Sequence, residues 1–229
     1  MRYYPLLLDL TGMQCLVIGA GEVGRRKIDG LLQCAPARVT AIDPAPPSPE
    51  LTELLARQDN FSYEQRPFAE TDLEQARLVF ACTSDRAVNA AIGRACMERG
   101  VLCNMTDDPG HGSFVLPASI TRGDLTISIS TSGASPALAR VIRRDLEKRY
   151  GPEYEIMTRL LADIRTALLA LGRSSDENRE IFRRLAASSL PDLIRNDDRH
   201  ACLELLRNVL PNDLHTRIGE WCDDCFPTF

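Results

Sequence analysis

The sequence predicts an α/β protein: a doubly wound parallel sheet, then a β-hairpin, then a small all-helical C-terminal part. Three observations carry this. Short apolar runs alternate with helical patterns over the first hundred residues, which is the order of a parallel sheet with crossover helices. Thr126-Ile127-Ser128-Ile129-Ser130 then alternates strictly, as a strand with one apolar face does. From Pro136 onward the pattern is helical nearly throughout.

The first strand, Cys15-Leu16-Val17-Ile18, runs into Gly19-Ala20-Gly21-Glu22-Val23-Gly24 and a helical pattern follows. Strand, Gly-x-Gly-x-x-Gly turn and helix in this order form a dinucleotide-binding fingerprint, so the sheet is expected to be Rossmann-like. Gly19 lets the chain turn off the strand, Gly21 leaves bare backbone for a pyrophosphate, and Gly24 lets the helix pack close to the sheet. The helix N-terminus points its free N–H groups and positive dipole end at the phosphates. A second strand, Arg38 to Ile42, ends at Asp43, where a carboxylate accepts hydrogen bonds from a ribose and repels a 2′-phosphate. Because no Lys or Arg occurs from Pro44 to Ala56, NAD is favoured over NADP. The expected cofactor contacts are Gly19, Ala20, Gly21, Glu22, Val23, Gly24, Asp43 and Pro44.

The first helix should run to about Cys34, before Ala35-Pro36. Pro44 to Pro49 reads as a stiff loop that can be neither strand nor mid-helix. Leu51, Leu54 and Leu55 mark a short helix, and Phe61 to Glu64 a strand. Arg77 to Cys82 is a buried strand ending in Thr83-Ser84-Asp85, with Asp85 or Ser84 capping a helix whose core face is Val88, Ala91, Ile92 and Ala95. Gly100 closes that helix, and Val101 to Asn104 is another strand. Ser113 to Thr121 and Asp124 to Ser130 read as two strands joined by Arg122-Gly123. A two-stranded ribbon is marginal alone, and pairing with a second subunit would cover its apolar face. Helix breaks are expected at Gly151-Pro152, Gly172 and Leu190-Pro191, with further helices from about Asp197 to Leu210 and Asp213 to Cys222.

Composition narrows the function classes. With 229 residues, 44% hydrophobic and 26% charged, the chain is an ordinary globular protein with room for one substantial core and a smaller second. A net charge of −5 argues against a nucleic-acid or membrane-surface binder. No apolar run approaches a membrane span, the first residues lack a signal-peptide core, and a cytoplasmic location is expected. Of eight cysteines, only Cys222-Asp223-Asp224-Cys225 has ligand-like spacing, and no second pair completes a zinc set. Cys15, Cys82 and Cys103 fall in or at the ends of core strands, and Cys34, Cys96 and Cys202 in helical patterns. No metal site is expected.

Ligands of open α/β sheets bind at the carboxyl ends of the strands. Thr83 should lie near the nicotinamide, and Asn104 leads into Met105-Thr106-Asp107-Asp108-Pro109-Gly110. A carboxylate in a half-closed cleft beside a like charge has its pKa raised toward useful proton transfer. The same residues also make a plain polar turn, bent at Asp108-Pro109-Gly110. Arg140, Arg143, Arg144 and Lys148 form a basic stripe at helical spacing, suited to carboxylates or equally to water.

Four stretches in series carry a more specific signal: Gly19 to Lys27, Cys103 to Asp107, Ser113 to Ala118, and Ser132-Gly133-Ala134-Ser135-Pro136-Ala137-Leu138-Ala139-Arg140. Together they resemble the precorrin-2 dehydrogenase/sirohydrochlorin ferrochelatase family of sirohaem biosynthesis, well over residues 1–150 and loosely beyond. The resemblance implies an NAD-dependent oxidoreductase that converts precorrin-2, a polycarboxylate tetrapyrrole, to sirohydrochlorin. It leaves ferrochelatase activity open. Asp107 matches the family's catalytic aspartate, a general base. The resemblance also implies a homodimer, with the hairpin region in the contact. Where many members have Ala, this chain has Gly24, and Thr131 replaces a serine that is phosphorylated in some relatives. The division implied is an NAD-binding Rossmann domain at 1–112, a dimerisation hairpin and helix at 113–150, and a helical domain at 151–229. Alternatives are an NAD-sensing regulatory module without catalysis, which would have no use for Asp107, and a chelatase alone.

Overall fold

The computed structural model describes residues 3–226; Met1 and Arg2 of the N-terminal lead-in lie outside the described residues. The chain forms two compact units, Met1–Leu116 and Pro117–Phe229.

The first unit holds β1 (Gln14–Ile18), α1 (Glu22–Leu32), β2 (Arg38–Asp43), α2 (Pro49–Arg57), β3 (Phe61–Gln65), β4 (Leu78–Ala81), α3 (Arg86–Arg99) and β5 (Leu102–Met105). The strands form a parallel sheet in the order β3-β2-β1-β4-β5. Every residue of β4 and four of the five in β1 are buried, which is why these strands read as unbroken apolar runs. Ile28 and Leu31 of α1 and Leu51 of α2 pack with Val17, Val39, Ala41 and Phe80 on one face of the sheet. Ile92, Ala95 and Cys96 of α3 pack with Leu16, Ile18, Val79 and Cys103 on the other. Strand order reverses at β1, which pairs with both β2 and β4. Such a switch point opens a crevice at the carboxyl ends of the strands.

The second unit begins with the antiparallel pair β6 (Ala118–Arg122) and β7 (Leu125–Ile129) and continues through α4 (Pro136–Arg149), α5 (Glu153–Ala170), α6 (Ser175–Ala186), α7 (Leu190–Arg195), α8 (Arg199–Val209) and α9 (Ile218–Cys225). Ile120 faces Ile127 across the pair and Ala118 faces Ile129, while Ser119-Ser128 and Thr121-Thr126 share the opposite, exposed face. Both strands pack on α4, and β7 also on α5. Helices of its own chain thus bury Ile120 and half-cover Ala118, Ile127 and Ile129 on the apolar face, a cover the sequence reading assigned to a second subunit. Leu160, Ile164, Leu168, Leu185, Leu206, Ile218 and Trp221 form the core of the helical part.

Several boundaries differ from the sequence reading. Pro49 belongs to α2: Ser48 caps that helix, accepting from the Leu51 N–H at 3.4 Å, and Pro49 fills a first-turn position that needs no donor. Val88 and Ala91 are exposed, and Asn89 takes the buried position beside Ile92. Residues 113–117 are not strand. Ser113 is drawn alongside β5, its N–H donating to the Cys103 carbonyl at 2.8 Å, and Pro117 has no N–H to offer a ladder. The hairpin thus starts at Ala118 and turns at Gly123-Asp124. Leu190-Pro191 opens a helix instead of breaking one, with Pro191 in its first turn. Cys34 lies just past α1.

Candidate cofactor and catalytic site

The glycine turn is built as its residue types require. Gly19 has φ +89°, and a Cβ placed there would sit 2.6 Å from the Cys82 carbonyl carbon and the Thr83 nitrogen. Only glycine fits, on both counts. A Cβ on Gly24 would collide with the Gly19 carbonyl and reach Val17, so α1 can lie against β1 only without one. Gly21 is open, with nothing within 4 Å of where its Cβ would be. It caps α1 without a side chain, leaving first-turn N–H groups for an anion. Glu22 is exposed and Val23 half-buried in that turn.

Asp43 closes the turn from the next strand. One carboxylate oxygen accepts from the Ala20 N–H at 2.7 Å and the other from the Ala45 N–H at 2.8 Å. The aspartate thus sets the shape of the turn. Pro44 is exposed, and its carbonyl accepts from Gln65 Nε2 at 3.4 Å. These residues fit a bound dinucleotide: an open glycine, an uncapped helix start and an acid at the end of β2.

Beyond β4, the Thr83 backbone touches the turn at Gly19. Thr83 is held by Asn89, whose Oδ1 accepts from both the Thr83 N–H (3.2 Å) and its hydroxyl (2.8 Å), while Asn89 Nδ2 donates to the Thr83 carbonyl at 3.0 Å. Sequence reasoning missed Asn89 because an amide in an apolar helical stripe gives no sign of its partner. The capping expectation holds: Asp85 accepts from the N–H groups of Ala87 and Val88.

Asp107 sits on a loop tied at both ends. Before it, the Thr106 N–H donates to the Ala81 carbonyl at 3.2 Å. After it, the Ser113 contact with Cys103 closes the loop, and Gly112 lies so near β5 that a Cβ would stand 3.1 Å from the Cys103 carbonyl oxygen. Asn104 is 6% exposed, with its Nδ2 donating to the Phe114 carbonyl at 3.0 Å, so its amide braces the far stem. Asp107 is exposed. Its neighbour Asp108 pairs with His111, Oδ2 to Nδ1 at 2.8 Å.

Between these pieces lies Cys82, its Sγ 3.3 Å from Thr106 Oγ1. Burial pushes the thiol above its ordinary range; Thr106 and the Lys27 ammonium oppose this, and the Asp107 carboxylate adds to it. Glycine turn, Thr83, Cys82 and Asp107 thus gather at the carboxyl ends of β1, β4 and β5. A groove of about 300 Å³ lined by Thr40, Ser62, Glu64, Arg66 and Asp72 lies along the sheet, and neither the glycine turn nor Asp107 lines it.

In the second unit, Arg140, Arg144 and Lys148 are exposed on α4, and Arg143 reaches Glu147 at 3.5 Å. Cys222 and Cys225 are buried in the helical core, Cys222 Sγ lying 3.8 Å from Cys202 Sγ. Among the described residues no group of three His, Cys, Asp or Glu is arranged for a metal, and no helix is long and apolar enough to cross a membrane.

Comparison with known proteins adds to this geometry. A family model described as NAD(P)-binding matches residues 6–118, and one described as sirohaem biosynthesis protein central matches residues 122–149. Siroheme synthase of Thioalkalivibrio sulfidiphilus is 33% identical over 95% of this chain and 44% of its own length. That of Methylococcus capsulatus is 39% identical over 72% of this chain and 34% of its own. The chain therefore spans less than half the length of these curated relatives. A solved structure titled SirC, precorrin-2 dehydrogenase, superposes with a TM-score of 0.74 at 28% identity, covering 90% of this chain and 98% of that one.

Proposed function

Because the chain belongs to the sirohaem-biosynthesis family of precorrin-2 dehydrogenases, we propose that it catalyses the NAD-dependent oxidation of precorrin-2 to sirohydrochlorin. Bound NAD supplies the hydride acceptor. The open backbone at Gly21 and the first turn of α1 hold the pyrophosphate, and Asp43 holds the adenosine ribose while keeping the turn in shape. Thr83, fixed by Asn89 against Gly19, borders the nicotinamide end. The macrocycle loses two electrons and one proton as hydride and a second proton to a base, and Asp107 is that base. Asn104 acts by bracing the loop that carries it.

The observation that carries this reading is the tethering of the Asp107 loop to β4 and β5 at the strand ends where the glycine turn lies. The test is NADH formation from precorrin-2. Replacing a positioned general base costs about 10²–10⁴-fold in rate, so Asp107→Ala should lose that much in kcat with NAD affinity retained. Normal turnover by this variant would remove Asp107 from the mechanism.

The same reading includes a homodimer. It is supported by Leu138 (50% exposed), Val141 (54%) and Ile142 (36%), which form an uncovered apolar side on α4. It also includes a cytoplasmic setting, in keeping with eight unpaired thiols. Exposed Arg140, Arg144 and Lys148 are suited to the carboxylates of the macrocycle.

A further inference from the structure

We propose that Lys27 binds substrate: its ammonium, beside Cys82, receives one carboxylate of the tetrapyrrole. This rests on the dehydrogenase reading and assigns a residue to its substrate site. Lys27 follows Gly24 by three positions on α1 and so shares the sheet-facing side of that helix. Its Nζ lies 5.9 Å from the ring centre of Phe80, itself packed edge-on to Phe114 at 5.6 Å. The stem is thus held against an aromatic wall in the interior.

The other half-buried cations among the described residues of this unit are neutralised. Arg25 pairs with Asp29 at 3.0 Å, and Arg66 forks onto Glu64 and Asp72. Among the described residues Lys27 has no carboxylate partner. Burial pushes its pKa below the ordinary lysine range, with Arg26 adding to this and Cys82 opposing it. A partly desolvated cation without a partner is costly to fold, and an arriving carboxylate offsets that cost. The position suits such a ligand. Cys82 is hydrogen-bonded to Thr106, the residue before Asp107, and feels both the Lys27 and Asp107 charges. A polycarboxylate ring brought to Asp107 meets like charge there, and Lys27 supplies the opposite one. The competing role is purely structural, an ammonium resting on Phe80.

The test titrates sirohydrochlorin, the product macrocycle, into wild type, Lys27→Met and Lys27→Arg by fluorescence. NAD affinity and precorrin-2 kinetics are measured on the same proteins. Loss of a charge-assisted contact predicts about 10- to 100-fold weaker macrocycle binding in Lys27→Met. KM should rise accordingly, kcat should change less, and NAD affinity should hold. Wild-type affinity should fall as rising pH deprotonates Lys27 below the ordinary lysine range, while Lys27→Arg keeps its affinity there. Methionine preserves the stem on Phe80, so a merely structural lysine leaves binding unchanged in Lys27→Met, which overturns the proposal. So does a loss confined to NAD. Should Lys27→Met fail to fold, a wild-type affinity that stays level with Lys27→Arg through alkaline pH overturns it instead. Because the titration needs no turnover, a wild type that binds the macrocycle through Lys27 but reduces no NAD sinks the dehydrogenase reading alone.

Discussion

Single residues in this protein carry their meaning in two ways, and only one is legible in a sequence. Gly19, Gly21 and Gly24 declare themselves because spacing and residue type together state a backbone requirement, and the structure supplies the reason at each. Gly19→Ala should cost about 1–3 kcal/mol from the positive φ alone, with further loss from the collision at Cys82 and Thr83. Chemical denaturation and NAD titration should both report it, and retained NAD affinity would mean the turn does not hold the dinucleotide. Asp43 was legible as an acid at a strand end, but its grip on Ala20 and Ala45 was not. Asn89 and Lys27 were silent in this respect, since what distinguishes them is a partner, or the want of one, contributed by another element. Neither periodicity nor spacing encodes that.

Elements followed their patterns where one force dominated. The parallel strands were legible because burial on both faces leaves only apolar residues. The start of α3 was legible because Asp85 offers its carboxylate to the Ala87 and Val88 N–H groups. Replacing that cap, Asp85→Ala, should cost about 1 kcal/mol of stability, read as a shifted denaturation midpoint with an unchanged slope. An unchanged midpoint would mean that water caps the helix equally well. Patterns failed where two forces competed. At residues 113–117 a good strand sequence was captured by Cys103 and Asn104 before it could join the hairpin. On α3 a polar side chain displaced the apolar one a residue earlier because Thr83 needed it. Pro49 was read as loop and Pro191 as a helix break, when each stands in the first turn of a helix.

At the scale of the molecule, the order of parts was legible: sheet, hairpin, helices. What covers the hairpin was not, because the sequence shows that an apolar face exists and not which helix reaches it. With α4 and α5 doing so, the uncovered apolar surface moves to Leu138, Val141 and Ile142. Val141→Asp should convert a dimer to monomers by sedimentation while leaving the helical content unchanged, since the side chain is 54% exposed. A dimer that survives this change must be held elsewhere, and a monomeric wild type would end the proposal. The loop from Thr106 to Gly112 has a consequence at this same scale. Anchored at both stems to the central sheet, it fixes where the backbone presents Asp107 while leaving the exposed carboxylate free to turn. On the proposed reading, a planar guest would have to be met by a rotation of one short side chain on a held backbone, not by a sweep of the loop.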